Sequence, residues 1–521
     1  MEEKRTEERL ELAPAASNLT STASNADHKE TLIQSIRRWP RVTLYCCVLA
    51  SAILLFGYDL VIVGTVSAMP RFQAEFGQQF NGAPIIPSLW LSLWTASSPI
   101  GAMLGAWTAG AFQDMRGRRA SLALGSVLST LAVGLCFAAD APSGVNERRA
   151  VFLAGKLLQG YAVGAALCTT QTYMSEVLPP ALRGPLLAFL PAFALLGQLA
   201  GAAVVDACLE LPGRAGYRAA FASQWALAAA PVVAAAVVPE SPAWLVRGRR
   251  VAAARRQHRR LYGGDAAAAF AELRDAIAHE EEGSGGAATY AQCFGDVEAR
   301  RTALVAFANL LPEFFGFSLL GNATYFVQTI GMAPRASVTF LMLGIGLGLL
   351  ANVASFWTLS RVGRRPLMLW TVAAAAVLWA SIGVAGCFDG EPMIWYTAVC
   401  MMVIVMTVGV GAWPASYVVG AETSSIRLRA KAQGIGWFAS SLASAVMGFL
   451  LPYVYNPDQG ALGSKTGFIF AALSCVAFVI VWLYVPEMKD RKALEIDRMF
   501  ELQLPARRFK RWSCETVDLC A

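Results

Sequence analysis

The chain is built from apolar stretches that are too long, and recur too often, for the core helices of a soluble domain. A helix that crosses a bilayer needs roughly 20 mostly apolar residues, and about twelve stretches qualify, among them Leu44–Met69, Leu89–Ala111, Val151–Met174, Leu186–Val205, Ser337–Leu359 and Gly467–Val485. With 56% of the 521 residues hydrophobic and only 15% charged, the chain lacks the polar surface that water on all sides would require. Lipid is therefore part of its solvent. The expected fold class is an all-α polytopic membrane protein with about twelve transmembrane helices in two six-helix bundles.

Charge placement sets the expected orientation. With both termini inside, most of the 43 Lys and Arg fall on the cytoplasmic side, as the positive-inside rule requires. The Arg run from Arg247 to Arg260 then reads as an anchor near anionic headgroups, and nucleic acid is not an expected partner. The 11 cysteines are scattered, most of them inside apolar spans, and there are three histidines. This pattern gives neither a disulfide framework nor a metal centre. The first 42 residues are polar, with no apolar segment behind a basic start, so no cleaved signal is evident. Asn18-Leu-Thr20 fits a glycosylation sequon but lies on this cytoplasmic tail. No Walker loop, dinucleotide fingerprint or nucleophile elbow is present, so the chain does not read as an enzyme and no cofactor is implied.

Six spans precede a polar segment and six follow it. The expected division is a cytoplasmic tail over 1–42, a bundle over 43–238, a cytoplasmic loop over 239–301 with short helices at Val251–Tyr262 and Ala266–Glu282, a second bundle over 302–485, and a cytoplasmic tail over 486–521. Gly283–Gly286 is expected to be flexible. The halves also repeat locally. Asp114-Met-Arg116-Gly117-Arg118-Arg119 follows span 2, and Ser360-Arg361-Val-Gly363-Arg364-Arg365 follows span 8. Glu176 with Arg183 follows span 4, and Glu422 with Arg427 and Arg429 follows span 10. Glycine permits the sharp reversal, and the Arg groups can bridge to carboxylates at neighbouring helix ends. These loops read as clamps holding the bundles together at a cytoplasmic gate, or as Arg residues that only set topology.

From about Phe56 to Phe500 the chain resembles sugar porters of the major facilitator superfamily. The resemblance rests on the Asp114 loop, on Pro239-Glu240-Ser241-Pro242-x-Trp244-Leu245, and on Pro486-Glu487-x-Lys489 with Glu495-Ile496-Asp497. It is most similar to fungal α-glucoside permeases, through Phe56-Gly57-Tyr58-Asp59, Gly321-Asn322-Ala323-Thr324-Tyr325-Phe326, Glu422-Thr-Ser-Ser425-x-Arg427 and Asn456-Pro457. The resemblance implies the major facilitator fold and a cytoplasmic gate formed by Asp114, Arg118, Arg119, Glu176, Arg183, Glu240, Arg364, Arg365, Glu422 and Arg427.

A carboxylate within a spanning helix is costly and usually functional. Asp59 lies in the middle of span 1, at the position where, by the resemblance, proton-coupled porters carry the Asp that takes up and releases the proton. Lys156 in span 4 is the intramembrane base; hexose porters have Arg there and many α-glucoside permeases Glu, so this chain departs from both. A permanent Asp59–Lys156 pair is the competing reading. The candidate sugar contacts are Gln159, Gln198 in Gly197-Gln198-Leu-Ala-Gly201, Glu313, Asn322, Tyr325 and Tyr417. The paired Gln that hexose porters carry in span 7 is missing, with Glu313, Asn322 and Tyr325 the polar groups available there instead, and Tyr417 falls where those porters place a stacking Trp. Trp413, Trp437 and Phe438 replace smaller or more polar family residues. The site is therefore expected to be more apolar than a hexose site, although each aromatic reads equally as membrane packing.

The expected function is proton-coupled import of an α-glucoside or related sugar by alternating access, in a monomer in the plasma membrane whose partners are sugar, H⁺ and lipid. A hexose or polyol transporter, a secondary-metabolite exporter and a non-transporting nutrient sensor are the alternatives.

Overall fold

The computed structural model describes residues 32–80, 82–179, 182, 190–263, 269–271, 273–275, 277, 289–424, 428–489, 491 and 493–512. The tail before residue 32, Gly283–Gly286, Arg183 and Arg427 lie outside these residues. The first half is six long helices: α1 (Pro40–Ser67), α2 (Ser88–Arg116), α3 (Arg118–Phe137), α4 (Val145–Val177), α5 (Leu190–Cys208) and α6 (Ala215–Val237). Short helices at Pro242–Arg247 and Val251–Tyr262 follow, the second with Ala254, His258 and Leu261 buried and its arginines turned outward. The second half comprises α7 (Asp296–Phe314), α8 (Phe317–Gly321), α9 (Ala323–Thr329), α10 (Pro334–Val362), α11 (Arg364–Ala385), α12 (Glu391–Val410), α13 (Ala412–Thr423), α14 (Arg429–Tyr455) and α15 (Gly467–Tyr484).

Twelve spans thus stand in two halves of six. Among the described residues, ten of them are long and apolar enough to cross a membrane by length and composition. The other two are α2, which carries Ser, Thr and Gln along an otherwise apolar 29-residue helix, and span 7, which is broken into α7, α8 and α9. A side face of apolar residues points away from the protein on both halves, with Trp107 78% and Trp370 76% exposed. Such a surface has lipid as its solvent.

Two contacts fix how the first half packs. Gly101 and Gly105 on α2 face Gly160 and Gly164 on α4, so the two backbones touch. A Cβ on Gly105 would lie 2.0 Å from the Tyr161 carbonyl oxygen, and one on Gly160 would lie 2.2 Å from that of Ser98. The same device joins α1 to α5: a Cβ on Gly57 would meet the Ala194 oxygen at 1.9 Å, and one on Gly197 the Leu54 oxygen at 2.1 Å. With lipid tails as apolar as leucine, close backbone packing of this kind drives helix association in membranes.

Breaks in spans 7 and 10 have equally local causes. Gly316 adopts φ +90°, and a side chain there would strike the buried Trp379 ring, whose indole N–H donates to the Phe315 carbonyl at 2.9 Å. At Gly411, between α12 and α13, a Cβ would sit 2.3 Å from the Thr371 methyl. Helices broken at membrane depth free backbone polar groups, which is tolerated where they are buried in protein or line a path.

At the end of the first half away from the Gly117 turn, Phe72, Phe76, Trp94, Phe152 and Tyr217 form one aromatic cluster. Its margin is fixed by Asp140, which accepts from the Tyr217 hydroxyl at 2.6 Å and from the Arg218 guanidinium at 2.8 Å. Burial alone would raise the Asp140 pKa, but hydrogen bonds from Arg218 and Tyr217 and the charges of Arg218 and Arg214 outweigh it and hold it below the ordinary value.

Two measurements follow from this packing. Gly160→Leu should abolish monodisperse protein on size exclusion in detergent, whereas Gly110→Ala, where an added Cβ meets nothing within 4 Å, should melt at or above the wild-type temperature. Asp140→Asn should lower stability at neutral pH by about 2 kcal/mol, the scale of charge-assisted hydrogen bonds. Because the folded carboxyl titrates below its unfolded value, that contribution is complete above the ordinary Asp range and disappears as pH falls through the depressed value. Thermal melts of the two proteins should therefore converge in acid.

Candidate functional site

The close approach of α2 and α4 also assembles the buried charges. Gly160 lies one helical turn from Lys156 and rests on the Ser98 backbone, so Lys156 and Ser98 are brought to the same point on α1. There the Lys156 Nζ donates to Asp59 Oδ1 at 2.5 Å, and the Ser98 hydroxyl donates to Oδ2 at 2.6 Å. Asp59 is 5% and Lys156 1% exposed. In this conformation the two residues form one ion pair, as both the proton-carrier and the permanent-pair readings require. A hydrogen-bonded buried pair is stable as a unit, and removing one member leaves an uncompensated charge.

Gln159, one turn along α4, accepts from Ser129 at 2.9 Å while its side-chain N–H₂ is buried without a partner among the described residues. Gln224 on α6 presents a second such amide. It was missed in the sequence, although a glutamine inside the apolar span Ala215–Val237 is a readable signal. Gln198 on α5 is buried as well.

In the second half the polar groups gather at the span 7 break. Glu313, 6% exposed at the end of α7, accepts from the Ser318 hydroxyl of α8 at 2.5 Å, and the Ser444 hydroxyl of α14 lies 3.5 Å from that of Ser318. Neither serine was singled out in the sequence, because a lone Ser in a span is common and the break that turns Ser318 back toward Glu313 is a three-dimensional feature. Asn322 donates to the Ser318 carbonyl at 3.0 Å and is met by Gly64 of α1. Phe317 packs on Trp413 with ring centres 5.3 Å apart, and Tyr417 stacks on Trp437 at 6.1 Å with planes 27° apart. The Trp413 indole N–H is buried beside the Tyr417 hydroxyl. Phe438, by contrast, is 53% exposed on the outer face.

Tyr325 is placed elsewhere. Its hydroxyl donates to Asn456 Oδ1 at 3.2 Å, within a network that joins the halves at the end opposite the Gly117 turn. There Asn456 donates to the Ile86 carbonyl at 3.0 Å, and Asp458 accepts from the Ser88 N–H at 2.9 Å and from its hydroxyl, capping α2 from the other half. Gln73 donates to Gln328 and Gln328 to the Ala68 carbonyl, at 3.2 and 2.7 Å. The halves are closed at this end.

The repeated clamps at the other end lie within each half. Arg118 forms a two-pronged pair with Glu176 at 2.6 and 3.1 Å and approaches Asp114 at 3.4 Å. Glu240 accepts the N–H groups of Arg118 and Arg119 at 2.9 and 3.3 Å, and Arg119 donates to the Ala235 carbonyl at 2.7 Å. In the second half Arg364 pairs with Glu422 at 2.8 Å, Glu487 accepts the N–H groups of Arg364 and Arg365 at 3.2 and 3.1 Å, and Arg365 reaches the Trp482 carbonyl at 2.7 Å. Where sequence reading expected ties across the bundles, these contacts bind neighbouring helices of one bundle. Two turns at Gly117 (φ +91°) and Gly363 (φ +97°) make the arrangement the same in both. Glu487 was read only as part of a motif, and its capping role follows from the fold.

Lys156→Met should destabilise the protein by about 3–5 kcal/mol, the cost of a buried unpaired charge, and adding Asp59→Asn should restore most of that loss. Melting of the two purified variants decides it; additive destabilisation would mean that the residues do not act as a pair.

Comparison with known proteins agrees with this architecture. Residues 45–500 match the family model for sugar (and other) transporters. The MFS transporter fmqE of Aspergillus fumigatus is 31% identical over 93% of this chain and 92% of its own length. The general alpha-glucoside permease of Saccharomyces cerevisiae is 27% identical over 94% of this chain and 81% of its own. Among solved structures, the inward open conformation of the xylose transporter XylE from E. coli superposes with a TM-score of 0.71 at 22% identity, over 88% of this chain and 99% of that one. The chain belongs to the sugar transporter family of the major facilitator superfamily.

Proposed function

We propose that this protein is a proton-coupled symporter that imports an α-glucoside or related sugar by alternating access. The observation that carries the reading is the buried Asp59, held by Lys156 and Ser98. A carboxylate in that environment has a cation to compete with a proton. An ammonium also yields its place more readily than a guanidinium locked by a planar fork. In the cycle, the outward-facing form loads a proton on Asp59, which releases Lys156, and sugar binds between the halves at Gln159, Gln198, Glu313, Asn322 and Tyr417. The halves rock, and both cargoes leave on the other side. Tyr325 then belongs to the outer closure rather than to the sugar.

In this reading the Gly117 and Gly363 turns, both tails and the 239–301 segment are cytoplasmic, the Asn456 network closes the outer face, and the bundles span 43–238 and 302–485. Asp114, Arg118, Arg119, Glu176, Arg183, Glu240, Arg364, Arg365, Glu422 and Arg427 keep each half rigid at the inner gate. The protein works as a monomer in the plasma membrane. The α-glucoside relative supports the substrate class, and the xylose transporter fold supports sugar transport in general.

The aromatic lining formed by Phe317, Trp413, Tyr417 and Trp437 favours a second reading, export of a less polar ligand. Uptake of labelled maltose and glucose, with external pH recorded, should be measured in cells that lack their own sugar transporters. Sugar-dependent alkalinisation is expected, with at least a tenfold loss (about 1.4 kcal/mol in the coupled step) in Asp59→Asn. Uptake without a pH change would make the protein a facilitator, and no uptake of either sugar would favour the exporter.

A further inference from the structure

The second intramembrane acid, Glu313, has no counter-charge among the described residues. The residue is 6% exposed, and its carboxyl accepts from the Ser318 hydroxyl and lies within hydrogen-bonding reach of the Ser444 hydroxyl and the Ser318 N–H. The titratable group within its electrostatic reach is Tyr417 on α13. Further along the packed helices, Glu422 of α13 is already held by Arg364, and Lys431 of α14 sits over the Tyr290 ring at 4.5 Å. Across the interface, Lys156 is taken by Asp59, and α15 carries no charged residue. An ionised carboxylate held by two serines, with no cation beside it among the described residues, still costs several kcal/mol in such surroundings, and groups so placed neutralise instead.

We propose that Glu313 carries a second proton and binds sugar only in its neutral form, as a protonated stand-in for an amide. A carboxylic acid, like a glutamine side chain, presents one donor and one acceptor in a single plane, the pattern that matches a pair of adjacent sugar hydroxyls. Once ionised, Glu313 is an acceptor only, one of its lone pairs is already used by Ser318, and the donor half of the contact is lost. The proton is taken from water on the side where sugar enters and returns to water where sugar leaves, so a ligand-linked proton moves with the sugar besides that on Asp59. This rests on the sugar reading above, and it assigns sugar affinity a pH dependence that survives the removal of Asp59.

The test uses the full chain in lipid nanodiscs, in the Asp59→Asn, Lys156→Met background where the first acid cannot titrate. Maltose and glucose binding should weaken as pH rises, approaching tenfold per pH unit, or about 1.4 kcal/mol, for one linked proton. Glu313→Gln fixes the amide pattern at every pH and should flatten that profile, while Glu313→Ala should lose binding. A slope that persists in Glu313→Gln, or a Glu313→Gln protein that folds but fails to bind at any pH, would overturn the proposal. Infrared difference spectra supply a readout without ligand: the carbonyl band of a protonated carboxylic acid should be present at neutral pH in this background and absent in Glu313→Gln. No such band overturns the proton on Glu313 even where sugar binds. A band in protein that binds neither sugar overturns the sugar reading, and the ligand linkage with it.

Discussion

The contact between α2 and α4 is the constraint on which the rest of the first half depends. Two pairs of glycines let the backbones touch, and at that separation Lys156 and Ser98 both reach Asp59. The buried charge pair is therefore a consequence of packing as much as of chemistry. Moving α4 outward by the width of one methyl group would break the ammonium contact and leave two charges in a medium that solvates neither. The α1–α5 contact through Gly57 and Gly197 applies the same logic from the other side and holds α1 in place. A half built this way is stiff, because its polar centre tolerates no internal sliding.

The turn end stiffens each half by a second route. In both halves a glycine with positive φ ends one long helix and starts the next, and a glutamate from the end of the sixth helix of that half accepts the first two N–H groups of the new helix. Carboxylates are favoured at a helix N-terminus, where unsatisfied donors and the helix dipole converge. An arginine of the same turn then pairs with a glutamate at the end of the fourth helix. Three helix ends are tied into one node, twice, by the same residue types. The ties across the halves lie at the opposite end, where Asp458 caps α2 and Asn456 bridges to Ile86. Rigidity within halves and a reversible seam between them is the division of labour that rocking of two bodies requires.

Much of this was legible in the sequence because it depends on local pattern. Apolar length identified the spans, and the repeated Gly-Arg-Arg turns identified the halves. Asp59 and Lys156 stood out because charges are rare in apolar stretches, and the structure pairs them. What was not legible depends on distance. That the Arg118 and Arg364 clamps close within a bundle rather than between bundles cannot be read from spacing, since carboxylates on several helices were equally available. Tyr325 looked like a ligand contact because it lies three residues from Asn322 in a polar segment, but one turn of helix carries it to the Asn456 seam. The breaks at Gly316 and Gly411 left only ordinary glycines as a trace, and their cause is the bulk of Trp379 and Thr371 from another helix.

The two halves repeat in their frames and differ at their centres. The first half holds a compensated pair, Asp59 with Lys156, and buried amides whose N–H₂ groups have no partner among the described residues. The second places Glu313 at a helix break within reach of Tyr417, and a Phe317–Trp413 ring pair on the two broken spans. Donors on one side and an acid with aromatic faces on the other suit a ligand that is polar along one edge and apolar across its faces, which is the description of a sugar ring. The asymmetry also divides the electrostatics. A paired acid changes its surroundings only when its partner lets go, whereas an acid without a cation responds directly to what occupies the space beside it. In the proposed cycle, one of each across the interface between the halves would let ligand and proton influence the same equilibrium from opposite sides, which is the physical content of coupling.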